Sequence, residues 1–251
     1  MSFVLSEITD RVATITLNDP DRRNAVNLAM NGELIEELDR IESENLAGAV
    51  VVTGAGSAFS AGADLNDLLD AMDHDEVRRI YGGFLRLANC GLPTIAAVNG
   101  PAVGAGMNLA LACDVIVAGR SARFDSRFVQ IGLHPGGGHI WRLAGRCGTQ
   151  AAAAMVLFGQ TLDGAEAERV GLAWRCVDDD ALLTESTAIA AKSAGFPTEL
   201  VRRAKRTLDD CREITEAGQA VEMEAEPQAW SMGQPEFSAL VAKLRSQISS
   251  G

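Results

Sequence analysis

Two segments rich in glycine and alanine each follow a run of apolar residues that is typical of a buried strand. Residues 58–65 follow residues 50–53, and residues 99–108 follow residues 94–98. Small residues let a ligand approach the main chain, and the amides at a helix N-terminus attract negative charge. Two such amides converging from neighbouring strands would form an oxyanion hole. The alternative is that both segments only let a helix pack closely on a sheet.

A sheet covered by helices is needed to hold these two segments, and the apolar pattern predicts one. Apolar and β-branched runs predict strands at residues 3–8, 12–17, 49–53, 94–98, 115–118 and 174–177. Asn24 or Asn27 is the predicted cap of a first helix that ends near Ile41. Further helices are predicted at residues 75–89, 104–113, 149–158, 163–170, 180–194, 197–213, 214–230 and 235–247. The alternation of strands and helices predicts βαβ units and an α/β sheet covered on both faces.

The charge and the apolar pattern exclude two classes of partner. The chain has 251 residues, with 22 Lys and Arg against 34 Asp and Glu, so its formal net charge is −12. This balance lacks the basic footprint of a nucleic-acid-binding protein. Residues 87–113 carry no charge, but Pro93 and Pro101 make them a poor spanning helix. We therefore expect neither nucleic acid nor a membrane as a partner.

The cysteines and the chain organisation predict one cytoplasmic domain. Five cysteines are scattered without a CxxC pair, which predicts a reducing compartment and neither disulfides nor a zinc site. The first ten residues lack the basic and apolar regions of a signal peptide. No repeat or linker divides the chain. We expect a single domain over residues 1–251, with an α/β core over about 1–195 and a helical tail over about 196–251.

Taken together, these segments resemble the enoyl-CoA hydratase/isomerase family, also called the crotonase superfamily. The matching residues keep their order and spacing over nearly the whole chain, at 15–18, 22–25, 52–54, 58–65, 96–106, 109–110, 113–114, 131–133 and 135–138. The resemblance implies a crotonase fold of repeated ββα units with a C-terminal helical trimerisation region. It also implies an acyl-CoA substrate and a homotrimer or homohexamer. No separate cofactor is implied, since coenzyme A enters as part of the substrate.

The resemblance also implies which residues hold the thioester. By position, the oxyanion donors are the backbone amides of Ala63 and Ala105. The family usually has glycine at the second position, and an alanine amide donates equally well if its φ is negative. The residues that the resemblance assigns to coenzyme A binding are Arg23, Ala61, Gly62, Asp64 and Gly104. For Arg23, the alternative is an exposed charge on a loop.

The positions of the family's acidic residues are occupied differently in this chain. Family hydratases use two glutamates to position a water and carry its proton. Here Asn108 occupies the first position and Phe128 the second, while Gly136 lies where some family isomerases carry a carboxylate. Neither asparagine nor phenylalanine takes up a proton at neutral pH. Because one acid–base group typically contributes about 10²–10⁴-fold to a rate, we do not expect hydration by the two-glutamate mechanism.

Other polar side chains were weighed as substitutes. His134 is the best candidate, because a histidine titrates near neutral pH. The alternative is a loop histidine that is hydrogen-bonded to the backbone. His139 follows five residues later, but two histidines alone do not make a metal site, so no metal is predicted. We expect Asp70, Asp73 and His74 to lie on a solvated acidic face; the alternative is that they line the acyl pocket.

Asp125 and Arg127 flank the Phe128 position. If residues 125–128 continue a regular strand, Asp125 and Arg127 share one face and Phe128 points to the other. Asp125 would then be structural. The predicted function is therefore an acyl-CoA thioester-processing lyase or isomerase that works through an enolate held by the oxyanion amides. The alternative is a non-catalytic acyl-CoA-binding or carrier protein on the same fold.

Overall fold

The computed structural model describes residues 2–70 and 73–249. The strands are β1 (Val4–Thr9), β2 (Val12–Leu17), β3 (Ala49–Gly54), β4 (Thr94–Val98), β5 (Pro101–Val103), β6 (Val115–Gly119), β7 (Arg123–Asp125), β8 (Leu162–Asp163) and β9 (Arg175–Val177). The helices are α1 (Leu28–Ser43), α2 (Leu65–Asp70), α3 (His74–Ile80), α4 (Gly82–Ala88), α5 (Ala105–Ala112), α6 (His139–Phe158), α7 (Gly164–Arg169), α8 (Leu182–Ala194), α9 (Thr198–Asp210), α10 (Ala217–Met232) and α11 (Pro235–Ser249). The chain divides into two compact units, Met1–Ala194 and Gly195–Gly251.

The larger sheet carries the predicted strands. Within the described residues it has six strands in the order β1-β2-β3-β4-β6-β9. β1 and β2 form an antiparallel hairpin, and the remaining neighbours pair in parallel. All five residues of β4 are buried, which explains why its apolar run is continuous rather than alternating.

Helices cover both faces of this sheet, as predicted. Val50 and Val52 of β3 point into the main core, to which α1, α4 and α5 contribute buried side chains. Val51, between them, points to the other face and packs with Leu182 and Ala190 of α8. Because successive side chains of a strand alternate between faces, both helical layers are built from the same short strands.

A second, smaller sheet was not predicted. Within the described ranges it has three strands in the order β5-β7-β8, with β5 and β7 parallel and β7 and β8 antiparallel. Strands of two or three residues are too short to show a period in the sequence. The prediction of no strand between residues 149 and 173 is therefore wrong for β8. The helix predicted from residue 149 begins at His139 and bends at Gly148, whose φ is +76°.

The second unit consists of α9, α10, α11 and a short 3₁₀ turn at Cys211–Glu213, close to the predicted helices. The Arg203 guanidinium lies 4.0 Å from the centre of the Trp230 ring and ties α9 to α10. Several large apolar side chains of this unit are exposed, among them Val221, Leu240 and Leu244. No helix in the described residues is long and apolar enough to cross a membrane.

Candidate active site

The two small-residue segments run side by side, joined by main-chain hydrogen bonds. The Ser60 amide donates to the Pro101 carbonyl (3.0 Å), and the Val103 amide donates to the Ser60 carbonyl (3.0 Å). A Cβ at Gly106 would lie 2.6 Å from the Ser60 hydroxyl oxygen, so this close approach requires glycine. The loops that leave β3 and β4 therefore converge, as the sequence predicts.

The amide of Ala63 is set by a bridge to Val26. The Val26 amide donates to the Gly62 carbonyl (2.7 Å), and the Asp64 amide donates to the Val26 carbonyl (2.8 Å). In such a parallel bridge the N–H of the residue between the two bonded ones points away from the partner. Gly62 has a φ of +109°, and a Cβ there would meet the Val103 carbonyl at 2.9 Å. Ala63 is thus turned toward the second loop.

The amide of Ala105 is exposed to a ligand for a different reason. Ala105 is the first residue of α5, where an amide has no carbonyl partner within the helix. The φ of Ala105 lies outside the left-handed region, so alanine can replace the family's usual glycine here and still present its amide. Neither the Ala63 nor the Ala105 amide donates to another described residue. Both residues line one cavity of about 520 Å³.

That cavity has the size and the largely apolar lining of a small-molecule pocket. Its apolar wall includes the side chains of Leu65, Leu68, Ile80, Phe128, Ile131 and Leu133. Polar groups enter it from Asp64, Tyr81, Asn108, Arg127 and His134. The predicted residues Ala61, Gly62, Ala63, Asp64, Gly104, Ala105, Asn108, Phe128 and His134 all line this cavity, whereas Arg23 does not.

Asn108 belongs to a buried chain of hydrogen bonds that the sequence did not reveal. Its Nδ2 donates to the Gly136 carbonyl (3.2 Å), and its Oδ1 lies 2.8 Å from His139 Nδ1. His139 Nε2 lies 2.9 Å from the Ser126 hydroxyl. Because the Gly136 carbonyl can only accept, Asn108 Oδ1 must face His139, and His139 Nδ1 must carry the proton. Ser126 then donates to His139 Nε2.

His139 is held in its neutral form. It is 1% exposed and its ring meets the Phe128 ring edge-on, with 4.9 Å between the centroids. Burial lowers the pKa of His139 to about 4, because a charged imidazolium would lose its solvation. A neutral His139 fixes the amide of Asn108 and leaves the second N–H of Asn108 Nδ2 as a donor. Asn108 therefore offers the site a donor and not a base.

Residues 125–128 do not continue a regular strand, so the condition under which Asp125 and Arg127 would share one face is not met. β7 ends at Asp125, Arg127 has a φ of +54°, and Phe128 begins a 3₁₀ turn that ends at Ile131. Arg127 and Phe128 consequently both line the cavity. Asp125 is buried and accepts hydrogen bonds from the Arg127 amide (2.8 Å) and from Arg127 Nε (2.9 Å). It stabilises this bend and neutralises Arg127.

His134 combines both interpretations offered from the sequence. Its Nδ1 donates to the Pro135 carbonyl (2.8 Å), so it is a loop histidine bonded to the backbone. The residue is nevertheless exposed at the rim of the cavity and lines it. Since Nδ1 carries the proton in this arrangement, Nε2 of the neutral ring keeps a free lone pair.

The groups expected to bind coenzyme A lie beside the first loop. The Arg23 side chain is exposed, while the Arg23 carbonyl accepts from the Ala61 amide (2.9 Å). Asp64 Oδ1 accepts from the Asn66 amide (2.8 Å), and Asp64 Oδ2 lies 3.5 Å from Arg22 Nη1. The carboxylate of Asp64 is thus engaged in shaping the loop. The backbone of Arg23 is thus fixed beside Ala61, and its exposed side chain does not line the cavity.

The remaining predicted polar residues do not add to this site. Asp73 caps α3, where its side chain accepts from the amides of Asp75 and Glu76. The side chains of Asp70 and His74 lie outside the described part of the structure. No group of three His, Cys, Asp or Glu residues in the described ranges could hold a metal ion.

Comparisons with known proteins show which family and which relatives this chain is similar to. Residues 7–234 match the family described as Enoyl-CoA hydratase/isomerase. A probable enoyl-CoA hydratase of Mycobacterium tuberculosis (strain CDC 1551 / Oshkosh) is 47% identical over 247 residues, which is 95% of this chain and 96% of that protein. The 1,2-epoxyphenylacetyl-CoA isomerase of Escherichia coli (strain K12) is 39% identical over 205 residues, 79% of this chain and 78% of that protein.

A solved structure has the same fold. The crystal structure of a probable enoyl-CoA hydratase/isomerase from Mycobacterium abscessus matches with a TM-score of 0.88 and 32% identity. The match covers 98% of this chain and 97% of that one. The resemblance to this family and the α/β crotonase fold that it implies are confirmed, while trimerisation through the helical tail stays a prediction.

Proposed function

We propose that this chain, which belongs to the enoyl-CoA hydratase/isomerase family, moves the carbon–carbon double bond of an acyl-CoA thioester through an enolate. Membership in this family makes it an acyl-CoA-processing enzyme. The polar groups that line the cavity support isomerisation over hydration. Its described lining holds two unengaged amides, at Ala63 and Ala105, and a histidine base, but no carboxylate that is free to activate a water.

The anion is stabilised by main-chain donors in this proposal. Loss of an α-proton from the acyl group moves the electron pair into the thioester carbonyl, whose oxygen becomes negative. The amides of Ala63 and Ala105 donate to that oxygen and stabilise it, as preorganised donors do in other oxyanion holes. The N-terminal end of α5 adds a partial positive charge behind Ala105.

His134 Nε2 is the proposed base. Its Nδ1 is held by Pro135, so the lone pair of Nε2 is available at the cavity rim. Among the described residues that line the cavity, Asp64 carries the only carboxylate, and both its oxygens are engaged. Water activation by a carboxylate, as in the two-glutamate mechanism of family hydratases, therefore has no free group among these residues to perform it. Isomerisation needs no activated water: it requires a base that removes the α-proton, an enolate protected from solvent, and a proton returned to another carbon of the substrate.

Several narrower assignments belong to the same proposal. We propose that Arg23 binds a coenzyme A phosphate and that Ala61, Gly62, Asp64 and Gly104 shape the coenzyme A cleft. Coenzyme A is part of the substrate, and no further cofactor is invoked. We also propose that the chain forms a homotrimer or homohexamer through its helical tail. The proposal includes a single domain over residues 1–251 and a cytoplasmic location. The alternative of a non-catalytic carrier is not favoured, because the relatives are named as enzymes.

Isomerisation of vinylacetyl-CoA to crotonyl-CoA tests the proposal. The two compounds have the same composition and differ only in the position of the double bond, so conversion needs no co-reactant. The purified chain should form crotonyl-CoA from vinylacetyl-CoA and exchange the α-hydrogens of butyryl-CoA with solvent deuterium, as mass spectrometry reports. Neither activity in the parent protein, with both esters shown to bind, would reject the proposed function in favour of a carrier.

Two variants separate the base from the binding site. His134→Gln keeps a polar side chain but removes the lone pair that accepts the proton, so exchange and isomerisation should fall by about 10²–10⁴-fold. Butyryl-CoA binding should stay within a few-fold of the parent. Val129→Ala is the control, because Val129 is exposed on the neighbouring turn and does not line the cavity, and it should retain exchange. Release of 3-hydroxybutyryl-CoA from crotonyl-CoA at a rate above isomerisation would favour hydration instead.

A further inference from the structure

The hydroxyl of Tyr81 lies over the α-carbon of Gly136. Tyr81 stands at the junction of α3 and α4 and lines the same cavity as Ala63 and Ala105. A Cβ at Gly136 would collide with Tyr81 Oη and would lie 3.0 Å from Tyr81 Cζ. The φ of Gly136 lies outside the left-handed region, so its backbone does not require glycine. Gly136 is small because the tyrosine hydroxyl fills the space above it.

Two donors therefore meet at one residue of the site. Asn108 Nδ2 donates to the Gly136 carbonyl, and Tyr81 Oη lies above the Gly136 α-carbon. The Tyr81 ring is braced by Phe84, with 5.4 Å between the ring centroids. Phe84 in turn packs against Gly137, where a Cβ would lie 2.7 Å from Phe84 Cε2. The phenol is thus positioned by packing and not by a hydrogen bond of its own.

Tyr81 Oη hydrogen-bonds to no other described residue. Partial burial is the cause that raises the pKa of Tyr81 above its ordinary value. The titratable groups that share the cavity are Asp64, Arg127 and His134, and none of them contributes to this shift. A phenol with such a pKa keeps its proton at neutral pH. It offers the cavity an O–H donor.

We infer that Tyr81 is the proton donor of the site, which returns a proton to the substrate carbon after His134 has removed one. The inference rests on the proposed function and adds a proton donor to it. The residues at the family's acidic positions, Asn108, Phe128 and Gly136, cannot act as that acid. The inference stands on the location of Oη over Gly136, inside the cavity that holds the oxyanion amides.

The proton transfers balance without another reactant. His134 Nε2 takes a proton from the α-carbon of vinylacetyl-CoA, and the C–H electron pair forms the dienolate. Tyr81 Oη then gives its proton to the γ-carbon, the thioester carbonyl reforms, and the double bond lies between the α- and β-carbons. The phenolate regains a proton from solvent as His134 loses its own. The substrate keeps its composition.

Tyr81→Phe removes the hydroxyl and keeps the ring that packs on Phe84. Exchange of the butyryl-CoA α-hydrogens needs the base and the oxyanion amides, so it should stay within a few-fold of the parent. Conversion of vinylacetyl-CoA to crotonyl-CoA should fall by about 10²–10⁴-fold. Phe84→Leu is the comparison for altered packing, because it keeps the Tyr81 hydroxyl but weakens the packing that positions the ring. A smaller loss of isomerisation in Phe84→Leu than in Tyr81→Phe assigns the effect to the hydroxyl itself. Thermal midpoints of both variants check that the fold persists.

The chain has a single tyrosine, so a label at this residue type reports on Tyr81 alone. Biosynthetic replacement by meta-fluorotyrosine lowers the phenol pKa and keeps the hydroxyl. Because a donor must be protonated, the alkaline limb of the isomerisation rate should move to lower pH in the fluorinated protein. The fluorine resonance should also shift when butyryl-CoA binds. A merely structural tyrosine would leave the alkaline limb where it is.

The outcomes distinguish the role of Tyr81 as proton donor from the proposed isomerase function. Isomerisation by Tyr81→Phe within twofold of the parent, or an alkaline limb unmoved by fluorination, overturns the role of Tyr81 and leaves the proposed function standing. Absence of both exchange and isomerisation in the parent overturns the proposed function itself. Retained exchange with lost isomerisation in Tyr81→Phe supports both.

Discussion

His139 Nδ1 donates a hydrogen bond to Asn108 Oδ1 over 2.8 Å, and this bond decides what Asn108 can do in the cavity. The acceptor oxygen of the amide is occupied by a buried neutral imidazole. The amide nitrogen faces the Gly136 carbonyl and the cavity. An asparagine fixed this way can orient a carbonyl or a water but cannot accept a proton from it. Proton transfer must therefore come from other groups.

Replacing His139 should destabilise the protein more than replacing His134. In His139→Leu, Asn108 Oδ1 and Ser126 Oγ lose their buried partners. Each unsatisfied buried group costs roughly 1–3 kcal/mol, so the free energy of unfolding in urea should fall by that amount for each. His134→Gln changes an exposed loop residue and should stay within about 0.5 kcal/mol of the parent. Equal losses in the two variants would contradict the hydrogen-bond chain.

The stability of the protein should decrease as the pH falls through the range in which His139 titrates. The pKa of His139 is about 4 in the folded chain, against 6.5 as its ordinary value. Between these values the unfolded chain binds a proton that the folded chain does not, so acid favours unfolding. The loss amounts to about 3 kcal/mol when the pH reaches the folded pKa. Urea unfolding of the parent and of His139→Leu at several pH values measures it.

That comparison removes the contribution of the carboxylates, which also titrate in acid. Both proteins share them, so only the histidine distinguishes the two curves. The difference in unfolding free energy between parent and His139→Leu should shrink as the pH falls from 6.5 toward 4. A difference that stays constant over this range would show that His139 is protonated, or already exposed, in the folded protein.

Removing the Ala105 amide should lower turnover without removing α5. Proline lacks the N–H, yet its φ suits the first position of a helix. Gly104, which precedes it, has a φ of +50° and a ψ of −112°, the mirror image of the extended backbone that proline prefers before it. Ala105→Pro should therefore lower kcat for isomerisation by about 10²–10³-fold, the usual effect of one oxyanion donor.

Ala105→Gly is its control, because glycine keeps the amide. Its kcat should remain within a few-fold of the parent value. Circular dichroism and the thermal midpoint should show that both variants keep their helices. A turnover of Ala105→Pro equal to that of Ala105→Gly would mean that the thioester oxygen is held elsewhere.

Local patterns made part of this site predictable. The long apolar strands β3 and β4 and the small residues after them show in the sequence, and Asn27 caps α1 as one of two predicted candidates. The strands of the second sheet were missed because they are only two or three residues long. The contacts of His139 with Asn108 and of Tyr81 with Gly136 join distant residues of ordinary type. No spacing in the sequence predicts such pairs.

Adding a methyl group at Gly106 should separate the two loops that carry the oxyanion amides. A Cβ there would lie 2.6 Å from the Ser60 hydroxyl oxygen. The added methyl group would also clash with the Ser60 carbonyl oxygen, so rotation of the Ser60 side chain would not relieve the contact. Gly106→Ala should cost about 1–3 kcal/mol of stability, as overpacking does, and lower isomerisation with it. Gly145→Ala is the matched control, because a Cβ there meets open space on α6.

Alanine at Gly145 should leave the activity unchanged and raise stability by about 0.5–1 kcal/mol, since glycine is unfavourable inside a helix. Chemical unfolding and the isomerisation assay measure both effects in each variant. We therefore expect Gly106→Ala to lower the free energy of unfolding and Gly145→Ala to raise it, because the first Cβ meets a clash and the second meets open space. If Gly106→Ala is as stable and as active as the parent, the Ser60–Gly106 contact does not hold the loops together, and another contact must position Ala63 and Ala105.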